Sequence, residues 1–145
     1  MPQALNNLSA SGAQPGNLTI LVSPDQEDYR SLTNILESNQ WSVRGARSFR
    51  EALQLLSDLQ QPAVVACERE LPDGDWKDVY QFIESLRNPP PLVVVSRHAD
   101  ESLWAEVLNV GGYDVLAKPF EEGEVQRVMT MARRYGAGEQ RARTH

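Results

Sequence analysis

The sequence predicts an α/β domain in which a five-stranded parallel sheet carries helices on both faces. Five short apolar runs alternate along the chain with five segments of helical periodicity. Two of those runs, AVVAC (63–67) and LVVVS (92–96), are apolar up to the Ser96 that ends the second, which is typical of strands covered on both faces. Crossovers between parallel strands are right-handed, and alternation of this kind sends helices to both sides of the sheet.

The first half of the chain predicts two strand–helix units. Residues 18–22 form an apolar, β-rich run, and residues 25–38 begin with acids and repeat apolar groups on one helical face. Residues 41–46 predict a weaker strand. Ser48 is then expected to cap a helix over residues 49–59.

The second half continues the alternation. Its predicted elements are strand 63–67, helix 76–87, strand 92–96, helix 101–110, strand 113–117 and helix 121–135. A Pro-Asp-Gly turn follows the third strand, and two glycines, Gly111 and Gly112, are expected to end the fourth helix.

The domain is expected to span residues 18–135. Residues 1–17 carry no charge and consist largely of Ser, Asn, Gly, Pro and Gln, which predicts a disordered lead. Residues 136–145 are polar and predict a flexible C-terminal tail. Too few residues follow the last predicted helix for a DNA-binding output domain.

Composition excludes several classes of function. A net charge of −6 argues against broad binding of nucleic acid, whose phosphates need cations. No apolar run approaches the ~18 residues of a membrane span. The single cysteine, Cys67, cannot form an internal disulfide, and Cys and His do not cluster as in a metal site. A cytoplasmic protein is the simplest expectation.

Common catalytic motifs are missing. The segment SPDQED after the first strand lacks the glycines of a dinucleotide-binding loop, and no GxxxxGK[ST] or GxSxG motif occurs. We therefore do not expect an enzyme.

Three polar residues stand where predicted strands end. Glu68 follows the third strand, Ser96 ends the fourth, and Lys118 follows the fifth. In open parallel sheets the functional site lies at the carboxyl ends of the strands. These residues are therefore expected to meet at one edge.

Residues 18–135 resemble the receiver domain of two-component response regulators. The resemblance rests on PAVVACERELPDGDW, PLVVVS and VLNVGGYDVLAKPF, which occur in the family's order and spacing. It implies a flavodoxin-like (βα)₅ fold with strand order 2-1-3-4-5, and a bacterial protein of phosphorelay signal transduction.

The resemblance also implies a site. In the family, an aspartate takes a phosphoryl group from a sensor kinase, and Mg²⁺ is held by that aspartate, an acidic pair after the first strand and a backbone carbonyl. A lysine and a Ser/Thr hydroxyl contact the phosphoryl oxygens. Lys118 and Ser96 stand at those two positions, and Pro119 follows the lysine in a bond that is commonly cis in the family.

The remaining site positions depart from the family. Glu68 stands at the phosphoacceptor position, and Ser23 and Pro24 stand at the acidic pair. A one-residue slip would bring Asp25 into the second acidic place. Val115 replaces the usual aromatic switch residue. We expect Mg²⁺ binding to be weak or absent, and no other cofactor.

The central hypothesis is a degenerate receiver held in one signalling state by a Glu68–Lys118 pair and acting through protein contact. Ser96 is a candidate for a further hydrogen bond to Glu68. Three alternatives stay open: a phosphorylatable receiver with a Mg²⁺ site rebuilt from Asp25 or from Asp73 and Asp75, a small-molecule sensor, and a dimerisation module.

The resemblance implies partner binding between the fourth helix, the fifth strand and the fifth helix. Leu103, Val107 and Val110 are expected to form the core face of helix 101–110, and Trp104 with Leu108 widens that stripe towards the partner face. A core position for Trp104 stays open, and Trp76 either covers the site or fills a gap. The expected partners are a sensor kinase, a downstream effector or a second copy, with neither nucleic acid nor membrane.

Overall fold

The computed structural model describes residues 16–58 and 61–144, with side chains as far as residue 139. The predicted disordered lead falls mostly on residues 1–15, which lie outside the described residues.

A five-stranded parallel sheet forms the centre of the described chain. Its strands are β1 (Leu18–Val22), β2 (Ser42–Ala46), β3 (Val64–Glu68), β4 (Leu92–Ser96) and β5 (Asp114–Ala117). Their order, β2-β1-β3-β4-β5, confirms the expected topology. The register pairs Glu68 with Val95 and Ser96 with Ala117, so β3, β4 and β5 end at the same edge.

Five helices alternate with the strands in the described residues. They are α1 (Gln26–Glu37), α2 (Phe49–Asp58), α3 (Trp76–Glu84), α4 (Glu101–Val110) and α5 (Glu122–Thr144). A short antiparallel hairpin, Glu70–Leu71 with Gly74–Asp75, connects β3 to α3. No helix in these described ranges is both long and apolar enough to cross a membrane.

Polar side chains fix where the helices begin. Ser48 accepts a hydrogen bond from the Glu51 N–H at 3.1 Å, which confirms it as the cap of α2. Asp75 caps α3 in a reciprocal capping box with Asp78. The carboxyl end of α4 is set by Gly111, whose φ of +129° favours glycine.

The core has two layers, one on each face of the sheet. On one face, buried residues of α2, α3 and α4 pack against the strands, and Trp76 is 1% exposed among them. On the other face, α1 and α5 cover the sheet with residues such as Leu32, Leu36 and Met129. Trp76 therefore fills the core below the sheet edge and does not cover the site.

Helix α5 is longer than the sequence predicts. It continues past Tyr135 to Thr144, so the predicted end of this helix at residue 135 is wrong. Two glycines, Gly136 and Gly138, weaken the helical pattern there. Gly136 is nevertheless buried against Pro91, where a Cβ would lie 2.7 Å from the proline Cδ. Close packing of the backbone explains why the helix continues through a residue of low helix propensity.

Candidate functional site

Glu68 and Lys118 meet at the carboxyl edge of the sheet. The Lys118 ammonium donates a hydrogen bond to Glu68 Oε1, and the two side chains are 7% and 17% exposed. The other carboxylate oxygen, Oε2, accepts from the Arg69 N–H at 2.9 Å. Both oxygens of Glu68 are therefore engaged. The Lys118–Pro119 peptide bond is cis.

A second carboxylate, which the sequence reasoning missed, shares the same ammonium. Lys118 Nζ lies 2.8 Å from Asp28 Oδ2, and the Asp28 side chain is 5% exposed. The Ser23 hydroxyl donates to the same Asp28 oxygen at 2.8 Å. We call Asp28, Glu68, Lys118 and Ser23 the lysine cluster. Its two carboxylates face one ammonium, which leaves one formal negative charge.

The environment of Lys118 keeps its amine protonated. Burial favours the neutral form, but hydrogen bonds to Asp28 and Glu68, together with their charges, outweigh it and raise the pKa of Lys118. The ammonium is thus a permanent part of the cluster at neutral pH.

The sequence contained a signal for Asp28. Asp28, Leu32 and Leu36 are four residues apart and all buried, so a carboxylate lies in phase with the apolar face of α1. A buried carboxylate needs a cation. The phase of this helix therefore predicts a buried carboxylate, although it does not identify Lys118 as its partner.

Asp25 does not restore the acidic pair. Its Oδ1 accepts from the Glu27 N–H at 2.9 Å as the cap of α1, and its Oδ2 is 4.0 Å from the Arg97 guanidinium. Pro24 is exposed and Ser23 is buried. Even if the alignment is shifted by one residue, the Asp25 carboxylate lies at the rim of the site and accepts a hydrogen bond from the backbone.

The proposed hydrogen bond between Ser96 and Glu68 is not formed among the described residues. Ser96 is buried, and its hydroxyl oxygen accepts from the His98 N–H at 3.0 Å. Its backbone carbonyl accepts from the Lys118 N–H at 3.0 Å. Through these two hydrogen bonds Ser96 fixes the backbone that follows β4 and β5.

The residues at this edge do not fit the family's Mg²⁺. Within residues 16–58 and 61–144, no three His, Cys, Asp or Glu side chains are grouped so as to hold a metal ion. Mg²⁺ requires hard oxygen ligands in octahedral geometry. Between Glu68 and Asp28 the available space holds the Lys118 ammonium instead.

The two acids of the turn after β3 also have other roles. Asp73 accepts from the Phe49 and Arg50 N–H groups at 2.7 and 3.0 Å, and these bonds at the start of α2 lower its pKa. Asp75 caps α3. A metal site rebuilt from Asp73 and Asp75 would remove the hydrogen bonds that these carboxylates accept at the starts of α2 and α3.

The lysine cluster opens into a shallow cavity of about 220 Å³. The cavity is lined by Glu68, Arg69, Glu70, Ser96, Arg97, His98 and Lys118. His98 is exposed there, as expected of a loop residue.

The predicted partner residues lie on α4 and β5. Trp104 is 51% exposed and Leu108 is 38% exposed, so Trp104 is not a core residue. Val110, predicted to face the core, is 40% exposed. Val115 is buried in β5 and packs in the core layer that α4 covers. Val110 is therefore not a core residue, although its position along the helix lies on the Leu103 and Val107 side of α4.

Comparison with known proteins assigns the family. The model of the response regulator receiver domain matches residues 20–130. The chain is 32% identical over 121 residues to the KDP operon transcriptional regulatory protein KdpE of Escherichia coli strain K12, covering 81% of this chain and 52% of KdpE. It is 28% identical over 116 residues to the response regulator protein PilR of Pseudomonas aeruginosa, covering 79% of this chain and 26% of PilR.

A solved structure agrees in fold. The beryllofluoride-activated NtrC4 receiver domain dimer superposes with a TM-score of 0.75 at 23% identity, covering 83% of this chain and 98% of that one. The chain spans about half the length of KdpE and about a quarter of PilR. Its fold, its strand-end lysine and the matched family model together show that this chain belongs to the response regulator receiver domain family of two-component signalling.

Proposed function

We propose that this receiver domain signals through protein contact, without conventional phosphorylation, and that the lysine cluster holds it in one state. The proposal rests on one observation: the Lys118 ammonium is bonded to both Glu68 and Asp28. The domain is then a signalling module, not an enzyme, and its place is the cytoplasm.

Phosphoryl transfer makes two demands that this edge does not meet. It depends on positioning and on cations that neutralise the charge of the transferred group. Here Lys118 is already neutralised by two carboxylates. The hydrogen bonds from the Arg69 N–H and the Lys118 ammonium also withdraw charge from both Glu68 oxygens, which makes each a weaker nucleophile. The cluster therefore stabilises the resting carboxylate.

The surface of α4 and β5 supports partner binding at the α4–β5–α5 face. Trp104, Leu108 and Val110 expose apolar surface on one helix. A cavity of about 250 Å³ lies beside Trp104 and is lined in part by Val115 and Ala117. Exposed tryptophans beside a cavity are typical anchors of interfaces. A sensor kinase or downstream effector is the proposed partner.

A homodimer through the same face is the second candidate. The exposed apolar residues of α4 favour it, and the NtrC4 receiver domain is a dimer in its beryllofluoride-activated form. The molecular mass of the protein in solution distinguishes a homodimer from a monomer that binds another protein.

The experiment is incubation with acetyl phosphate and Mg²⁺, followed by intact mass spectrometry. We expect no species heavier by one phosphoryl group. The matched control is a variant carrying Ser23→Asp, Pro24→Asp and Glu68→Asp, which restores the family's acids and should gain that mass. Stoichiometric phosphorylation of the unaltered protein would contradict the proposal.

A further inference from the structure

A second cavity lies at the amino-terminal edge of the sheet, opposite the lysine cluster. It measures about 400 Å³ and is bounded by α3, the three prolines before β4, the chain after α4, and α5. Its lining residues include Leu92, the first residue of β4, and Tyr113, which immediately precedes β5. Nothing in the proposed signalling function uses this cavity.

Three tyrosines form its walls. They are Tyr80 from α3, Tyr113 before β5 and Tyr135 from α5. The rings of Tyr113 and Tyr135 lie 5.3 Å apart between centroids at an angle of 42°. Tyr135 is 52% exposed, so about half of its surface is accessible to solvent.

The cavity is rigidly built. Pro89, Pro90 and Pro91 line one side, and each has a fixed φ. On the other side, a Cβ at Gly111 would lie 2.0 Å from the Tyr80 hydroxyl oxygen. Glycine at this position thus lets the phenol lie directly against the backbone. A ligand entering a preformed site orders few side chains on binding.

Two carboxylates flank the aromatic walls. Glu84 of α3 and Glu139 of α5 both line the cavity, and no arginine or lysine is among its described lining residues. Neither carboxylate forms an ion pair within the described part of the chain. Glu84 follows Tyr80 by four residues on α3, so the two side chains are neighbours on one helix face; burial, followed by the Glu84 charge, raises the pKa of Tyr80.

We propose that this cavity binds the guanidinium or alkylammonium end of a small organic cation. The face of a tyrosine ring attracts a cation, and the attraction strengthens where water is partly excluded. Glu84 and Glu139 supply the opposite charge on two sides of the opening. Pro89 and Pro91, which are partly exposed, provide apolar surface for the alkyl part of the ligand.

The experiment uses n-butylguanidinium as the probe and N-butylurea as its uncharged counterpart of the same shape. Backbone ¹H–¹⁵N spectra of the full chain report binding through the amides of Gly111, Gly112 and Gly136. We expect saturable shifts at these amides with the guanidinium and not with the urea, while the amide of Lys118 at the other edge stays in place.

Two charge-matched variants complete the test. Glu84→Gln with Glu139→Gln should weaken binding about tenfold, because the cation loses its counter-charges in a partly desolvated site. Glu101→Gln with Glu124→Gln removes the same charge from a different cavity and should leave the affinity unchanged. Equal affinity in both double variants, equal shifts with the urea, or no saturable shift would overturn the proposal. Glu68→Gln should bind the probe normally, so this result is independent of the phosphorylation assay.

Discussion

At Lys118, one ammonium is hydrogen-bonded to two carboxylates, of which Asp28 is buried and Glu68 is partly buried. The excess of one carboxylate decides which substitutions the site tolerates. A buried ion pair contributes little net stability compared with apolar packing, but removal of one partner leaves an uncompensated charge. Loss of the lysine would strand both Asp28 and Glu68. Loss of either acid would leave a balanced pair.

The first prediction concerns this imbalance. Lys118→Met should destabilise the domain by about 3 kcal/mol near neutral pH, because the buried Asp28 and the partly buried Glu68 both lose their cation. Urea unfolding followed by circular dichroism measures the change. Lys77→Met is the control, since Lys77 pairs with Glu106 on the surface and its loss should have little effect. Equal effects of the two variants would show that the lysine cluster is not a buried ion pair.

The second prediction concerns alkaline pH. Burial favours the neutral amine, but hydrogen bonds to Asp28 and Glu68 outweigh it, so the pKa of Lys118 is higher in the folded protein than in the unfolded chain. A raised pKa contributes stability that is fully present below the unfolded value of about 10.4 and is lost as the pH rises through the folded value.

Unfolding free energies measured at pH values below and above about 10.4 test this sign. The wild type should lose more stability over this interval than Lys118→Met, which has no amine to titrate. A smaller loss in the wild type than in the variant would mean that the folded protein lowers the pKa of this lysine.

At the scale of the elements, local signals predicted most of the fold. The strand ends, the Ser48 cap and the stop at Gly111 follow from side-chain chemistry within a few residues. The prediction for α5 was wrong because Gly136 is kept in the helix by contact with Pro91, a residue far away in sequence. Propensity carries no information about such a contact.

The third prediction compares the two glycines of α5. A Cβ at Gly138 meets nothing within 4 Å, so Gly138→Ala should stabilise the domain by about 0.5–1 kcal/mol through helix propensity. A Cβ at Gly136 would lie 2.7 Å from Pro91 Cδ, so Gly136→Ala should destabilise it by about 1–3 kcal/mol. Thermal unfolding of both variants measures the difference. Stabilisation by both alanines would mean that α5 does not pack against Pro91.

At the scale of the whole molecule, one of the two contacts of Lys118 could be predicted from the sequence. Glu68 and Lys118 could be brought together from sequence because parallel strands end at one edge. Asp28 reaches the same ammonium from α1, 90 residues away in sequence. That contact depends on how the helix rotates and tilts against the sheet, which hydrophobic periodicity fixes only in part.

The fourth prediction separates core from surface tryptophans. Trp104→Ala should leave the fold intact and weaken association, whether with a partner or with a second copy, because Trp104 is 51% exposed. Trp76→Ala should destabilise the domain by about 3–5 kcal/mol, because Trp76 is fully enclosed in the core. Circular dichroism and sedimentation equilibrium measure folding and association separately. Unfolding of Trp104→Ala, or unchanged association, would remove Trp104 from the proposed interface.

The central claim is that the Lys118 ammonium occupies the place that a divalent ion has in the family. Its most direct test is a structure of crystals grown with Mn²⁺, which binds oxygen ligands as Mg²⁺ does and scatters anomalously. We predict no anomalous peak at this edge of the sheet, with Lys118 Nζ within hydrogen-bond distance of both Glu68 and Asp28. A peak ligated by Glu68 and Asp28, with the lysine displaced, would contradict the account.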